Sequence, residues 1–226
     1  TKLLVLPFPN NPTGAVMEKK DLEAIAKVII DHDLYVLSDE IYSELTYLDK
    51  HVTIASLPGM KERTIVINGF SKSHAMTGWR LGNIIAPDYI VQVIQQINEN
   101  VAFTAPSISQ RGAIYALANS DEIQKPIVEE FRARMEYAAK RINSIPWMHV
   151  IYPPKGSFYL FPSIKKTGLS SEQVAEKILK DAHVLTLPGN AFGKCGEGHL
   201  RICCTVSIEV LKEAFDRIEK IEFGNK

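Results

Sequence analysis

The sequence predicts an α/β protein in two parts: a mainly parallel sheet with flanking helices over residues 1–105, then a connecting helix and a smaller α+β domain over residues 106–226. Three observations carry this. Short apolar runs alternate with a helix-period segment and turn-forming stretches as far as Ala86, the pattern of strands joined by crossovers in a parallel sheet. From Pro87 the apolar residues recur at helical spacing over long stretches. Beyond Pro146 short strand-like runs mix with two further helical segments.

Residues 2–8 form a continuous apolar run closed by Pro7 and Pro9, which predicts a first strand buried on both faces. Leu22, Ile25, Ala26 and Ile29 share one face of a helix over about 18–31. Tyr35 to Ser38, Thr64 to Ile67 and Asn83 to Ala86 are the next three strands. Ile90, Ile94, Ile97 and Val101 make one stripe after Pro87, and Ile127, Phe131, Ala138 and Ile142 make another on a long helix ending before Pro146. Strands follow near 148–152 and 157–161. Ser170, Ser171, Glu172 and Gln173 then read as a capping box opening a helix near 171. Strands near 184–187 and 200–204 precede a last helix from Ser207, with Leu211, Phe215 and Ile218 inward.

Composition bounds the function classes. Of 226 residues 46% are hydrophobic, and 26 basic side chains balance 26 acidic ones, so no overall basic field exists for nucleic acid or an anionic membrane. No apolar run approaches membrane-spanning length. The cysteines, Cys195, Cys203 and Cys204, are odd in number and lack zinc-ligand spacing, which argues for a reduced, cytoplasmic setting and no metal site. Cys203 and Cys204 should face opposite ways on a strand. The chain opens directly on a strand-like run without an initiator Met, which reads as a fragment.

Four features sit at strand ends, where open α/β sheets bind ligands. They are Pro9-Asn10-Asn11-Pro12-Thr13-Gly14, Asp39-Glu40-Ile41-Tyr42, Gly69-Phe70-Ser71-Lys72 running on to Gly78-Trp79-Arg80-Leu81-Gly82, and Arg201 behind the loop Pro188 to Gly193. Taken singly each has an ordinary reading: a turn, a helix-capping acid, a solvated lysine, half of an exposed ion pair. Taken together they supply one chemistry. Pyridoxal phosphate (PLP) needs a lysine amine for its aldehyde, a carboxylate for its pyridine nitrogen, donors for its 3′-oxygen and a cation for its phosphate. Lys72, Asp39, Asn11 with Tyr42, and Arg80 provide these.

PNNPTG, SDEIY, SKSHAMTGWRLG, PKGSFYLFP and the PGNAFG-to-LRI segment resemble the signatures of the class I/II aminotransferases, the aspartate aminotransferase superfamily of fold-type-I PLP enzymes, over nearly the whole chain. The resemblance implies that Lys72 forms the internal aldimine and shuttles the proton between Cα and C4′. It implies that Asp39 pairs with the pyridinium nitrogen, that Asn11 and Tyr42 bond the 3′-oxygen, and that Arg80 binds phosphate. Arg201 would clamp the substrate α-carboxylate bidentately, with Asn11 beside the substrate. Two departures stand out: Gly69 occupies a position where many relatives carry a phosphate-binding Ser or Thr, and the long N-terminal segment of the family precedes nothing here. The chain is therefore expected to be the C-terminal portion of the large domain plus the small domain, from a homodimeric enzyme when full-length.

The implied reaction moves the amino group of an L-amino acid to a 2-oxo acid, and the fragment alone is expected to be weakly active or inactive. A PLP-dependent carbon–sulfur β-lyase shares these motifs, and so does the PLP-sensing effector domain of a transcription regulator. His74, two residues after Lys72, reads as packing rather than as a second acid/base; Tyr159 and Phe161 read as core and pocket wall. Gly193-Lys194-Cys195 lacks the hydroxyl of a phosphate loop and reads as a turn.

Overall fold

The computed structural model describes residues 1–47 and 50–223. The chain forms two compact units. The first comprises Thr1–Asn10 and Ala15–Val128, the second Asn11–Gly14 and Glu129–Lys226.

The first unit is built on a four-stranded sheet in the order β1 (Leu3–Pro7), β2 (Tyr35–Asp39), β3 (Thr64–Gly69) and β4 (Gly82–Ile85). The first three strands are parallel, with Pro7 opposite Asp39 and Asp39 opposite Ile67; β4 returns antiparallel, with Gly69 opposite Gly82. The helix α1 (Lys19–Asp31) is the crossover between β1 and β2. It turns Leu22, Ala26 and Ile29 onto Leu6, Val36, Ile54 and Met60. A four-residue helix, α2 (Phe70–Ser73), follows β3 directly. Helices α3 (Asp88–Val101) and α4 (Ser107–Ala118) come after β4, and Ala113 and Ala116 of α4 bury with Phe70 and Met76. This last cluster packs the segment carrying Lys72 against a helix.

One expectation is corrected here. β1 is an edge strand, not one buried on both faces: Leu3 is 43% and Val5 54% exposed, because α1 covers only the face that Leu6 shares. The stripe on α3 forms on a helix but is not buried; no α3 residue is, and Ile97 and Val101 are 58% and 78% exposed. Helical periodicity reports which residues share a face and says nothing of whether that face meets a partner.

The helix α5 (Ser120–Ser144) belongs to the first unit as far as Val128 and to the second beyond it. Pro126 lies just before that division, where its missing N–H interrupts the helical hydrogen-bond ladder. In the second unit Met135, Ala138 and Ile142 of α5 are buried. The small antiparallel sheet runs β5 (Tyr159–Leu160), β7 (Leu200–Cys203), β6 (Leu187–Pro188) in spatial order. α6 (Ser171–Ala182) packs against β6 and against α7 (Ile208–Ile218). The capping box forms as read: Ser170 Oγ accepts from the Gln173 N–H, and Gln173 reaches back to the Ser170 N–H. The strand expected near 148–152 is reduced to an isolated bridge between His149 and Ser163. Cys203, the last residue of β7, is exposed and Cys204, just beyond it, is buried, so the two face opposite ways. Among the described residues no helix is long and apolar enough to cross a membrane.

Candidate functional site

In the first unit the motif residues gather at the C-terminal ends of two paired strands. Asp39 closes β2, and its carboxylate Oδ1 accepts the Ile41 N–H at 3.2 Å, leaving the other oxygen available for a cationic or N–H partner. The chain then turns over Glu40 to Leu45, and Tyr42 is buried within that turn. Lys72 lies in α2, five residues past the Ile67 that stands opposite Asp39. Gly69 lets β3 and β4 approach closely where that helix starts: a Cβ there would lie 3.1 Å from Gly82 Cα and 3.1 Å from the Leu81 carbonyl oxygen, a tight contact.

Arg80 follows a 3-10 turn over Thr77–Trp79 and adopts a left-handed conformation, φ +52°. For a non-glycine residue this costs about 1–2 kcal/mol, and such strain concentrates at functional turns. Two hydrogen bonds hold it: Arg80 Nη1 donates to the Thr77 carbonyl at 2.8 Å, and Ser109 Oγ of α4 donates to the Trp79 carbonyl at 2.7 Å. The guanidinium is otherwise exposed.

A second cluster here escaped the sequence reading. Glu40, only 4% exposed, receives hydrogen bonds from Thr53 Oγ1 at 2.6 Å and Ser38 Oγ at 2.9 Å, and His51 Nε2 lies 3.0 Å from its second oxygen. Burial works against the charge, but these partners outweigh it and hold the carboxyl below its ordinary value. Glu40 thereby ties the segment around His51 and Thr53 to the end of β2, between Asp39 and Tyr42. The only signal in the sequence was an acid flanking a strand end.

In the second unit Arg201 sits on β7 and is half-buried. Its Nη1 donates to Asn11 Oδ1 at 2.9 Å, and its guanidinium carbon lies 4.5 Å from the Tyr159 ring centre and 4.9 Å from that of Phe192. Two aromatic faces favour the cation while holding it in one plane. Its Nε is buried without a hydrogen-bond partner, so the guanidinium keeps donor capacity that a carboxylate would satisfy. Asn11 reaches this place because Gly14, at φ +70°, folds the Asn11–Gly14 turn onto the second unit. The Gly156 N–H donates to the Gly14 carbonyl at 3.1 Å, and a Cβ on Gly14 would stand 2.8 Å from the Tyr159 carbonyl oxygen. Tyr159 and Phe192 thus have a definite contact that sequence spacing alone did not reveal.

The residues of each unit fit the proposed ligand chemistry. Carboxylate, phenol, lysine and guanidinium in the first unit match the pyridine nitrogen, ring oxygen, aldehyde and phosphate of PLP. The Arg201 group in the second matches a carboxylate.

Comparison with known proteins gives the same direction. Residues 1–218 match the model of the family described as aminotransferase class I and II. An aspartate aminotransferase of Pyrococcus abyssi is 47% identical over 226 residues, covering 98% of this chain and 57% of that protein. An aromatic-amino-acid aminotransferase of Thermococcus litoralis is 46% identical, again across 98% of this chain and 57% of its own length. The crystal structure of an aromatic aminotransferase from Pyrococcus horikoshii superposes with a TM-score of 0.94 at 43% identity, covering 97% of this chain and 59% of that one. The chain spans just over half the length of the curated relatives it matches.

Proposed function

Because the chain belongs to the class I and II aminotransferase family and has the fold-type-I architecture of PLP enzymes, we propose that the whole protein transfers the amino group of an L-amino acid to a 2-oxo acid. The observation that carries this reading is the lysine turn at the end of β3 beside a carboxylate at the end of the paired strand β2. PLP, when bound, supplies an aldehyde for the amino group and a ring that withdraws electrons from the carbon attached to it.

The protein's residues then have separable tasks. Lys72 Nζ would hold the aldehyde group and, once free of it, would serve as the base that accepts and returns a proton at the substrate α-carbon. Asp39 keeps the pyridine nitrogen protonated. Tyr42, with Asn11, donates to the ring's 3′-oxygen, and Arg80 holds phosphate. Arg201 binds the substrate α-carboxylate, oriented by Asn11 and by the Tyr159 and Phe192 rings. The full-length protein is proposed to act as a cytoplasmic homodimer.

The test uses full-length protein with PLP and a panel of donors beginning with aspartate and the aromatic amino acids, the substrates in its relatives' names. Transfer to 2-oxoglutarate, and borohydride fixation of PLP that Lys72→Ala abolishes, are expected. Pyruvate and ammonia from cystathionine without any acceptor would instead make it a β-lyase. Fixation that survives Lys72→Ala would overturn the assignment of Lys72.

A further inference from the structure

His74 lies at the end of α2, 9% exposed, with both ring nitrogens engaged. Nδ1 is 2.8 Å from Ser73 Oγ. Nε2 is 3.2 Å from Gln124 Nε2 and 3.2 Å from Ser120 Oγ. The Gln124 amide nitrogen can only donate, which makes the imidazole Nε2 an acceptor and leaves the proton on Nδ1; the Ser120 hydroxyl, which also reaches the Ala116 carbonyl at 3.1 Å, then turns its single proton toward Nε2. Nδ1–H then donates to Ser73 Oγ. The Ser73 hydroxyl in turn donates to the Gly69 carbonyl at 3.2 Å.

We propose that His74, as the neutral Nδ1–H tautomer, is a positioning residue for Lys72. The chain Gln124 to His74 to Ser73 to Gly69 runs donor to acceptor in one direction. It links α5 to the carbonyl at the entry of the single turn that carries Lys72. That turn is too short to hold itself: four residues close one hydrogen-bonded turn, where fixing the backbone costs more than the bond returns. The side-chain bonds through Ser73 and His74 add to the backbone bonds of Phe70 and His74 in placing the turn that carries the lysine.

The surroundings favour the neutral ring. His74 borders a cavity of about 230 Å³ also lined by Glu44, Asn68, Asn83, Ser120 and Gln124. Burial lowers the affinity of the imidazole for a second proton, and the Glu44 carboxylate, the one charged group lining that cavity among the described residues, opposes this in part. A second proton would also set Nε2–H against the Gln124 donor.

The inference rests on the reading of Lys72 given above, and the experiment separates the two. Nitrogen-15 spectra of the histidine-labelled full-length protein without PLP read the tautomer: a protonated Nδ1 and a bare Nε2 at neutral pH are expected, and an Nε2–H tautomer overturns the chain. Gln124→Glu, which replaces the donor by an acceptor, should protonate Nε2. In parallel, the rate at which PLP becomes fixable by borohydride on Lys72 is compared in three proteins. His74→Leu should slow it by roughly ten- to a hundredfold, the loss typical of a displaced reacting group. His74→Asn, whose amide nitrogen stands near the Nδ1 position, should recover most of that loss. Equal rates in His74→Leu and the parent, or no recovery in His74→Asn at matched unfolding midpoints, would sink the positioning role. Failure of fixation in the parent itself overturns the reading of Lys72 and the positioning role with it, while the tautomer still decides whether the chain exists.

Discussion

At the residue scale, Glu40 is the group whose protonation should be felt at the C-terminal end of β2 and in the segment around His51 and Thr53. Burying a carboxylate is unfavourable unless it is paired, and here His51, Thr53 and Ser38 pair it. Its folded-state pKa is lowered, so its contribution to stability is fully present above the ordinary value of 4.5 and is lost as pH falls through the folded value. Glu40→Gln should cost about 1–3 kcal/mol at neutral pH, the price of unpaired buried donors. Urea unfolding at a series of pH values should show the gap between variant and parent narrowing below pH 4.5. A gap independent of pH would mean that the carboxylate charge contributes nothing. Asn11, Asp39, Tyr42, Lys72, Arg80 and Arg201 could be singled out in the sequence because each stands in a local string of turn and strand residues. Glu40 stood in such a string too, yet its partner Thr53 lies thirteen residues away, beyond what local spacing reports.

At the scale of elements, two apolar stripes of similar pattern have opposite fates. Ile29 on α1 is fully buried against β1 and β2, whereas Ile97 on α3 is 58% exposed. In the 226-residue chain Ile29→Ala should therefore cost about 2–5 kcal/mol and Ile97→Ala no more than about 0.5 kcal/mol. Unfolding by urea measures both, and equal losses would show that α3 is packed in solution. The helices themselves were legible, as was the Ser170–Gln173 cap, because period and capping are written within one turn of sequence. The short strands of the second unit were less so. Two-residue pairings such as Tyr159 with Cys203 and Leu160 with Ile202 are set by the partner strand, not by a run of apolar residues.

At the scale of the molecule, the cysteines report whether the second unit is folded. Cys204 is fully buried and its thiol is pushed up to about 12, chiefly by burial. Cys195 and Cys203 are exposed. A thiol reagent at pH 8 should modify two of the three groups in the native protein, and Cys204 only after denaturant is added. Reaction of all three without denaturant would contradict the packing of β7 against its neighbours.

The sequence by itself determined the family, the mainly parallel first sheet, and the identity of the lysine, carboxylate, phenol and guanidinium groups that suit PLP. These depend on local order: which residues end a strand, and which turn follows. Only the tertiary structure decided that β1 lies at an edge, that α3 turns its apolar stripe outward, and that Glu40 is held by the segment around His51 and Thr53. It alone brought Asn11 to Arg201 and Gln124 to His74. Each of these is a meeting of residues far apart in the chain, and a meeting depends on which faces pack together.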